Sequence, residues 1–302
     1  MTAPSTQSTS AAYRVARATW RTPLVQVVLS PISKSDAVSR LKIAVSRKLA
    51  APLASDGTPH APPVGDPMVF LTIRNAAYIE HISGEGIEIG AFEHPAPLPE
   101  GCVTKYVDRY QPSEMAALFP EIDTSRLVPV DITLDLDTEG LKKIPSASQD
   151  YVIFNHVVEH VANPIAVLEE IFRVLRPGGR LAIGAPDRDC TFDKDRPVTS
   201  WDHLKREYRD GVTDVTDLHY IDFLAHVHPD LLKGGVDEIA RHVEVQRSRR
   251  EHPHVWTSAA FRAFLKDALR LVKIDAEWLF EATAAENGFE YFAIIQKSAP
   301  DA

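Results

Sequence analysis

The sequence predicts an α/β fold in which helices cover both faces of a largely parallel β-sheet. Residues 151–187 carry the main evidence, because two apolar runs, 151–154 and 181–185, enclose a segment with helical periodicity. Such a strand–helix–strand crossover is the unit from which parallel sheets are built. Two further apolar runs that contain acidic residues, 86–90 and 103–110, come before this unit and extend the pattern towards the amino terminus.

The helix of this crossover has clear start and stop signals. Asn163-Pro164 is typical of an N-cap followed by proline at the first helical position, where the missing N–H costs nothing. Pro177-Gly178-Gly179 ends the helix, because glycine accepts a left-handed C-cap and proline cannot continue the helical bonding. Apolar residues at helical spacing predict one buried face, made of Ile165, Leu168, Ile171, Phe172 and Leu175.

Three strands are predicted before the crossover, after a short helix over 76–82. Each of the three contains an acidic residue close to its carboxyl end. The strands and their acids are 86–90 with Glu88, 103–110 with Asp108 and 127–132 with Asp131. Because parallel strands present their carboxyl ends at one edge of a sheet, where ligands bind in open α/β folds, we expect a binding site at this edge.

Charge and composition divide the chain. The 302 residues have a net charge of −9, yet residues 1–55 alone carry +7. We therefore predict a basic extension with a Pro-rich linker over 1–67, which packs on the core or on a partner subunit, and a folded domain over 68–302. The overall negative charge argues against a nucleic-acid binder. Two widely spaced cysteines are typical of a reducing, cytoplasmic location, and no apolar stretch approaches the roughly 20 residues that span a bilayer. The sequence is also compatible with a homo-oligomer.

The central residues resemble those of a known family. Glu159-His160-Val161, Asn163-Pro164 and Arg173-Val-Leu-Arg-Pro-Gly-Gly179 are similar to the fourth strand, the following helix and the fifth strand of class I S-adenosylmethionine-dependent methyltransferases, in the small-molecule branch called type 11. The resemblance covers 84–187 well and the rest in outline. It implies a Rossmann-like, seven-stranded sheet with helices on both faces, an N-terminal extension and a helical or loop insertion after the fifth strand.

The resemblance also implies a site for S-adenosylmethionine (SAM) and its product S-adenosylhomocysteine. Asp108 would bind the ribose hydroxyls and Asp131 would face the adenine amino group. The glycine-rich turn of the family is reduced here to Gly90, where the backbone approaches the ligand. The implied cofactor-binding residues are Glu88, Gly90, Ala91, Phe92, Asp108, Arg109, Asp131, Ile132, Asn155, His156 and His160.

Residues 188–255 break the alternation of strands and helices and form an insertion on the predicted acceptor side. Thr257 is predicted to cap the last helix, and 271–280 and 291–296 to form a closing antiparallel strand pair. The candidate acceptor contacts are Asp187, Asp193, Asp195, His203 and His254.

A hydroxyl acceptor must lose a proton, and we expect a general base among His156, Asp187 and His254. A divalent metal is the alternative, because Glu159 and His160 resemble part of the Glu-x-x-Glu-His metal site of certain RNA and quinone O-methyltransferases, with His156 in place of the first Glu. The further ligand would be His254 or another histidine of the insertion. Two matched ligands fall short of a full coordination set. We therefore favour a metal-free reaction and assign no metal ligand.

The predicted acceptor is a small molecule or glycan. Asp-Arg-Tyr at 108–110 and Thr-Phe-Asp-x-x-Arg-Pro at 191–197 resemble methyltransferases found among polysaccharide biosynthesis enzymes, which implies O-methylation of a sugar hydroxyl. The alternatives are a non-sugar metabolite methylated on N, S or O, and a non-catalytic SAM-fold partner protein.

Two other enzyme classes, zinc hydrolases and NAD-binding enzymes, fit the sequence less well. His156-Val-Val-Glu-His160 fits the inverted zincin pattern, but the histidines follow a buried strand and precede Asn163-Pro164, so one continuous helix is not expected. An NAD-binding domain is disfavoured, because Gly-x-Gly-x-x-Gly is absent after the first strand.

Overall fold

The computed structural model describes residues 69–119 and 123–299, so the extension and linker predicted over 1–67 lie outside the described residues. The helices are α1 Val69–His81, α2 Pro112–Leu118, α3 Pro164–Val174, α4 Trp201–Asp210, α5 Asp217–Val227, α6 Val236–Arg249, α7 Ser258–Leu271 and α8 Ala284–Asn287. The strands are β1 Glu85–Ile89, β2 Val103–Asp108, β3 Ile132–Thr133, β4 Gln149–Asn155, β5 Leu175–Pro186, β6 Ala276–Ala282 and β7 Glu290–Lys297.

All seven strands form one sheet in the order β3-β2-β1-β4-β5-β7-β6. β1 to β5 run parallel to one another, and β7 runs antiparallel to both β5 and β6. This arrangement confirms the predicted seven-stranded, Rossmann-like sheet. The chain order reverses between β1 and β4, and a crevice for ligands is expected outside the carboxyl ends of strands at such a switch point.

Strand β4 lies at the centre of the molecule and shares its side chains between two cores. Val152 and Phe154 pack in the cluster that includes residues of α3 and α7. Tyr151 and Ile153 pack in a second cluster on the other face, with residues of α1. All four are fully buried. Because side chains alternate across a strand, one apolar run supplies both faces of the sheet, as expected for a sheet covered on both sides.

The crossover after β4 follows the predicted start signal. Asn163 Oδ1 accepts a hydrogen bond from the backbone N–H of Ala166 at 3.1 Å, and Pro164 occupies the first turn of α3. The helix ends at Val174, before the predicted stop at Pro177, and β5 follows directly from Leu175. Within β5, Gly178 has a φ of 79°. Only glycine adopts that left-handed conformation without a steric cost.

Several predicted boundaries were wrong. Helix α1 begins at Val69, seven residues before the predicted start of the first helix, and α7 continues to Leu271, so that β6 begins only at Ala276. The predicted third strand over 127–132 is reduced to the two residues of β3. Hydrogen bonding to the neighbouring strand, which the sequence pattern does not reveal, decides where each of these strands begins.

The insertion after β5 contains α4, α5 and α6 and has a small apolar core of its own. That core contains Val215, Tyr220, Phe223, Leu224, Leu231 and Val243, which pack together with Ala162. The predicted Thr257 cap is confirmed, since its hydroxyl accepts from the N–H of Ala260 at 3.3 Å at the start of α7. Within the described residues, no helix has the length and apolar character needed to cross a membrane.

Candidate active site

The turn after β1 forms one wall of the crevice. Gly90 has a φ of 72°, and a Cβ added there would lie 2.7 Å from Cγ2 of Val157, so the turn requires glycine both for conformation and for space. Glu88 is buried, and its two oxygens accept from the N–H of Ala96 at 3.0 Å each. Burial raises the pKa of Glu88 to about 7. Glu88 therefore holds the loop that follows Gly90.

The predicted residues after Gly90 lie in this loop. Ala91 is buried, and Phe92 adopts a φ of 50° with its ring against Phe119 at 5.6 Å between centroids. The carbonyl of Phe92 accepts from the N–H of Val128, which joins the loop to the segment before β3.

Asp108 ends β2 and presents a carboxylate to the crevice. Its Oδ1 accepts from the backbone N–H groups of Arg109, at 2.6 Å, and of Tyr110, at 3.5 Å. Burial raises the pKa of Asp108 to about 6. The Arg109 guanidinium lies 3.0 Å from Asp135 Oδ2. The sequence prediction that Asp108 stands at a strand end is confirmed, and the structure adds Asp135 beside it.

Asp131 is not at the carboxyl end of a strand, and that part of the prediction was wrong. It precedes β3, and its Oδ2 accepts from the N–H of Tyr106 at 2.8 Å. Ile132 is the first residue of β3 and pairs with Val107. The acid that follows β3 is Asp135, which Arg250 also contacts at 2.9 Å.

The turn after β4 carries a linked set of polar groups. Asn155, the last residue of β4, donates from Nδ2 to the Tyr78 hydroxyl at 2.8 Å. His156 has a φ of 55° and lies with Nε2 2.6 Å from Glu290 Oε2. Its ring stacks on Phe289 with 5.0 Å between centroids. A positive φ is uncommon outside glycine and marks a turn held by its surroundings.

Glu290 is the buried centre of this set. Arg74 of α1 contacts both of its oxygens, with Nε 2.6 Å from Oε1. Burial by itself would raise the pKa of Glu290, but the Arg74 guanidinium and the His156 ring hold that pKa below its ordinary value. Glu290 therefore remains a carboxylate and accepts the hydrogen bond from His156.

A second group lies behind this turn and contains Glu159, His160 and His252, whose ligand-type atoms are within 4.8 Å of one another. His160 Nδ1 donates to the carbonyl of Arg250 at 2.5 Å, so its Nε2 carries the lone pair. Burial lowers the pKa of His160 to about 3. Glu159 is 1% exposed, and burial raises its pKa. Neither of its carboxyl oxygens has a hydrogen-bond partner among residues 69–119 and 123–299.

His252, the third member of this group, also forms a buried ion pair. Its Nδ1 lies 2.6 Å from Oδ2 of Asp193, which also binds Arg196 at 2.8 Å. Burial alone would lower the pKa of His252, but the Asp193 carboxylate raises it above its ordinary value. Asp193 is 2% exposed, so it holds the insertion together and does not face solvent as a candidate acceptor contact would.

The other two candidate bases have different surroundings. Asp187 accepts from the N–H and hydroxyl of Ser258, at 2.6 and 2.7 Å, and from the N–H of Asp189 at 3.0 Å, so its oxygens tie the end of β5 to α7. His254 is 1% exposed and packs with His203 in the insertion. Of the three candidates, His156 alone lies at the end of β4 beside the crevice.

Sequence reasoning missed several of these groups. Glu290 is the one charged residue at the start of an otherwise apolar strand, and that contrast is a signal that could have found it. His252 stands in a histidine-rich stretch that also contains the predicted His254. Arg74 and Tyr78 of α1 carry no local signal, because their partners are distant in sequence.

A family model described as "Methyltransferase domain" matches residues 78–268. The chain belongs to this methyltransferase family. An uncharacterized 37.1 kDa protein in transposon TN4556 of Streptomyces fradiae is 39% identical over 92 residues, which are 30% of this chain and 25% of that protein. The chain thus matches a quarter of the length of that curated relative.

Solved structures of methyltransferases are similar to this chain at low identity. The CurJ carbon methyltransferase has 14% identity and a TM-score of 0.43, with 99% of this chain and 72% of that chain covered. A SAM-dependent methyltransferase from Aquifex aeolicus has 12% identity and a TM-score of 0.40, with 77% of this chain and 94% of that chain covered.

Membership of the methyltransferase family implies SAM as the cofactor, and the residues at the crevice fit this molecule chemically. A ribose offers two hydroxyl donors, and Asp108 offers a carboxylate whose hydrogen bonds, among residues 69–119 and 123–299, are to the backbone N–H groups of Arg109 and Tyr110. The methionine part offers an ammonium donor, and Asn155 Oδ1 is buried with no hydrogen-bond partner in the described part of the chain. Buried polar atoms usually have a hydrogen-bond partner. Asp108 is therefore suited to the ribose hydroxyls of SAM, and Asn155 to its ammonium group.

Two of the three acids that the family resemblance assigns to SAM, Asp108 and Asp131, should differ in importance. Asp108→Asn should weaken SAM binding by about 1.5–3 kcal/mol, the usual value for hydrogen bonds to a charged group. Asp131→Asn is the matched control and should have a smaller effect, because Asp131 already binds the N–H of Tyr106. Isothermal titration calorimetry on the full chain measures both. A larger loss in Asp131→Asn would contradict this placement.

SAM affinity should depend on pH through Asp108. The pKa of its carboxyl is about 6, so affinity should be highest above about pH 7 and fall as the pH drops through about 6, where protonation removes the charge that accepts the hydroxyls. Glu88 also titrates near this range, and Asp108→Asn separates the two contributions. An unchanged pH profile in the variant would assign the effect to another group.

Proposed function

We propose that this protein is a SAM-dependent methyltransferase that methylates a hydroxyl of a sugar or glycoconjugate, with His156 as the general base. The supporting observation is the chain of contacts His156–Glu290–Arg74 at the carboxyl end of β4. SAM supplies an electrophilic methyl group when bound. The protein has to bind both reactants, orient the acceptor hydroxyl and remove its proton.

The bond to Glu290 decides which nitrogen of His156 can act. Because Glu290 is a carboxylate, Nε2 of His156 carries the hydrogen and donates it, and Nδ1 keeps the lone pair. A carboxylate in this position orients the ring and stabilises it when it gains a proton. The His156 side chain is 27% exposed, so the ring is not enclosed as the His254 ring is. A hydroxyl proton would pass to Nδ1 as the oxygen attacks the methyl group.

The other two candidate bases are better suited to structural work. The Asp187 carboxylate already accepts three hydrogen bonds at the junction of β5 and α7. His254 is enclosed within the insertion. Of the three candidate general bases, the proposal therefore keeps His156.

A hydroxyl-rich acceptor is supported by two sequence motifs. The motifs at 108–110 and 191–197 resemble those of methyltransferases from polysaccharide biosynthesis. Glu159 lies behind His156, with Oε1 3.7 Å from Nδ1, and is too buried to contact an acceptor.

An acceptor screen tests the proposed function. The full chain is incubated with methyl-deuterated SAM and two panels, one of nucleotide sugars and oligosaccharides and one of amines, thiols and phenols. Mass spectrometry should detect a labelled methyl ether in the sugar panel. Transfer only to a nitrogen or sulfur acceptor would contradict the sugar assignment and identify the substrate as a non-sugar metabolite. SAM binding without transfer to any compound would favour the non-catalytic partner protein.

Removing the base should slow methyl transfer and leave SAM binding intact. His156→Asn should lower kcat by about 10²–10⁴-fold, the usual contribution of general base catalysis, and Glu290→Gln should lower it by a smaller factor. His226→Asn, an exposed histidine on α5, is the control and should behave as wild type. Steady-state kinetics with calorimetric SAM binding measures these effects. Wild-type kcat in His156→Asn would exclude His156 as the base.

A further inference from the structure

Four side chains of the insertion converge on one point away from His156 and Glu290. His203 and Glu207 lie one turn apart on α4, His219 lies on α5, and His254 lies in the segment before α7. One nitrogen or oxygen of each lies within 4.8 Å of the others. The methyl-transfer proposal uses none of the four.

The spacing of their atoms is that of ligands around a single ion. Nε2 of His203 is 2.9 Å from Nε2 of His219, and Glu207 Oε1 is 2.9 and 3.1 Å from the same two atoms. Glu207 Oε2 is 3.6 Å from Nε2 of His254. Ligands at 2.0–2.1 Å from a tetrahedral Zn²⁺ are roughly 3.3 Å apart, which lies within this range.

Hydrogen bonds join His203, His219 and Glu207 Oε1, but hydrogen bonding among the described residues leaves the rest of the cluster unpaired. The His254 side chain is completely buried, yet neither ring nitrogen has a hydrogen-bond partner among the described residues, and the same is true of Glu207 Oε2. A buried polar group without a partner is costly.

We propose that His203, Glu207, His219 and His254 bind one Zn²⁺. Imidazole and carboxylate are common zinc ligands, and four protein ligands complete a tetrahedral shell with no open position, as in structural sites. His219 also has an outer partner that orients its ring, since its Nδ1 lies 3.0 Å from the Thr216 hydroxyl. The ion would join α4, α5 and the segment before α7.

The site would also set the position of the neighbouring histidine group. The N–H of His254 bonds to the carbonyl of Glu159 at 3.3 Å, and His252, two residues earlier, binds Asp193 on the other side. Zinc at His254 would therefore hold the segment that carries His252 against Glu159. This inference does not depend on which acceptor the enzyme methylates.

Metal analysis of the full chain, expressed without a polyhistidine tag, tests the site. Wild-type protein should contain about one zinc per chain by inductively coupled plasma mass spectrometry, the stoichiometry of a four-ligand site. His203→Ala and His219→Ala should lose most of it. His226→Ala is the matched control on α5 and should keep it. His252→Ala tests the other histidine group and should keep it as well.

A second measurement needs no variant and remains informative if a variant fails to fold. Zinc is removed from wild-type protein by a chelator and replaced by Co²⁺, whose visible absorption should be that of a tetrahedral site with nitrogen and oxygen ligands. Thermal unfolding should shift to lower temperature after chelation and return on addition of Zn²⁺. Three results would overturn the proposal: no bound metal in wild type, an octahedral Co²⁺ spectrum, or zinc that only His252→Ala removes.

Discussion

The buried carboxylate of Glu290 is the interaction on which the acceptor side of this protein depends. A charge enclosed at the start of β7 would cost several kcal/mol if it were unpaired. Arg74 from α1 and His156 from the turn after β4 both bind it, so three distant segments must meet before the charge is satisfied. The same contacts hold α1 against the sheet and the His156 ring against Phe289. The stability of this region and the position of the proposed base, His156, therefore both depend on the pairing of the Glu290 carboxylate.

The extended segment between α6 and α7 links the methyl-transfer crevice to the insertion. His252 contacts Asp193 and the ring of His160, whereas His254 contacts Glu207 and the rings on α4 and α5. Residues two apart in sequence therefore belong to two separate polar groups. Pro253 between them restricts the backbone of the segment and cannot donate a hydrogen bond. A substitution in one of these two polar groups should therefore alter the geometry of the other, because residues 252–254 connect them.

The positions of candidate site residues could be predicted where a residue type and its place on a strand coincide. Asp108 and Asn155 follow apolar runs, and both lie at the crevice. Asp131 could not be placed in the same way, because β3 contains two residues and hydrogen bonding to β2 sets its start. The acid that follows β3 is Asp135, four residues further along. A weak apolar pattern leaves several registers equally acceptable in sequence, and pairing with the neighbouring strand selects one.

The sequence by itself determined the fold class, the crossover from β4 to β5 and the capped start of α3, because periodicity, Asn163-Pro164 and the apolar runs act within a few residues. Only the tertiary structure decided the partners of the ionisable groups. Arg74 and Glu290 are 216 residues apart, and His156 and Glu290 are 134 apart. No local pattern encodes such a pair, since each residue alone is compatible with an exposed position. Their pairing follows from the sheet order, because β7 runs antiparallel to β5 and β4 runs parallel to it, so the start of β7 and the end of β4 lie at the same edge of the sheet with β5 between them.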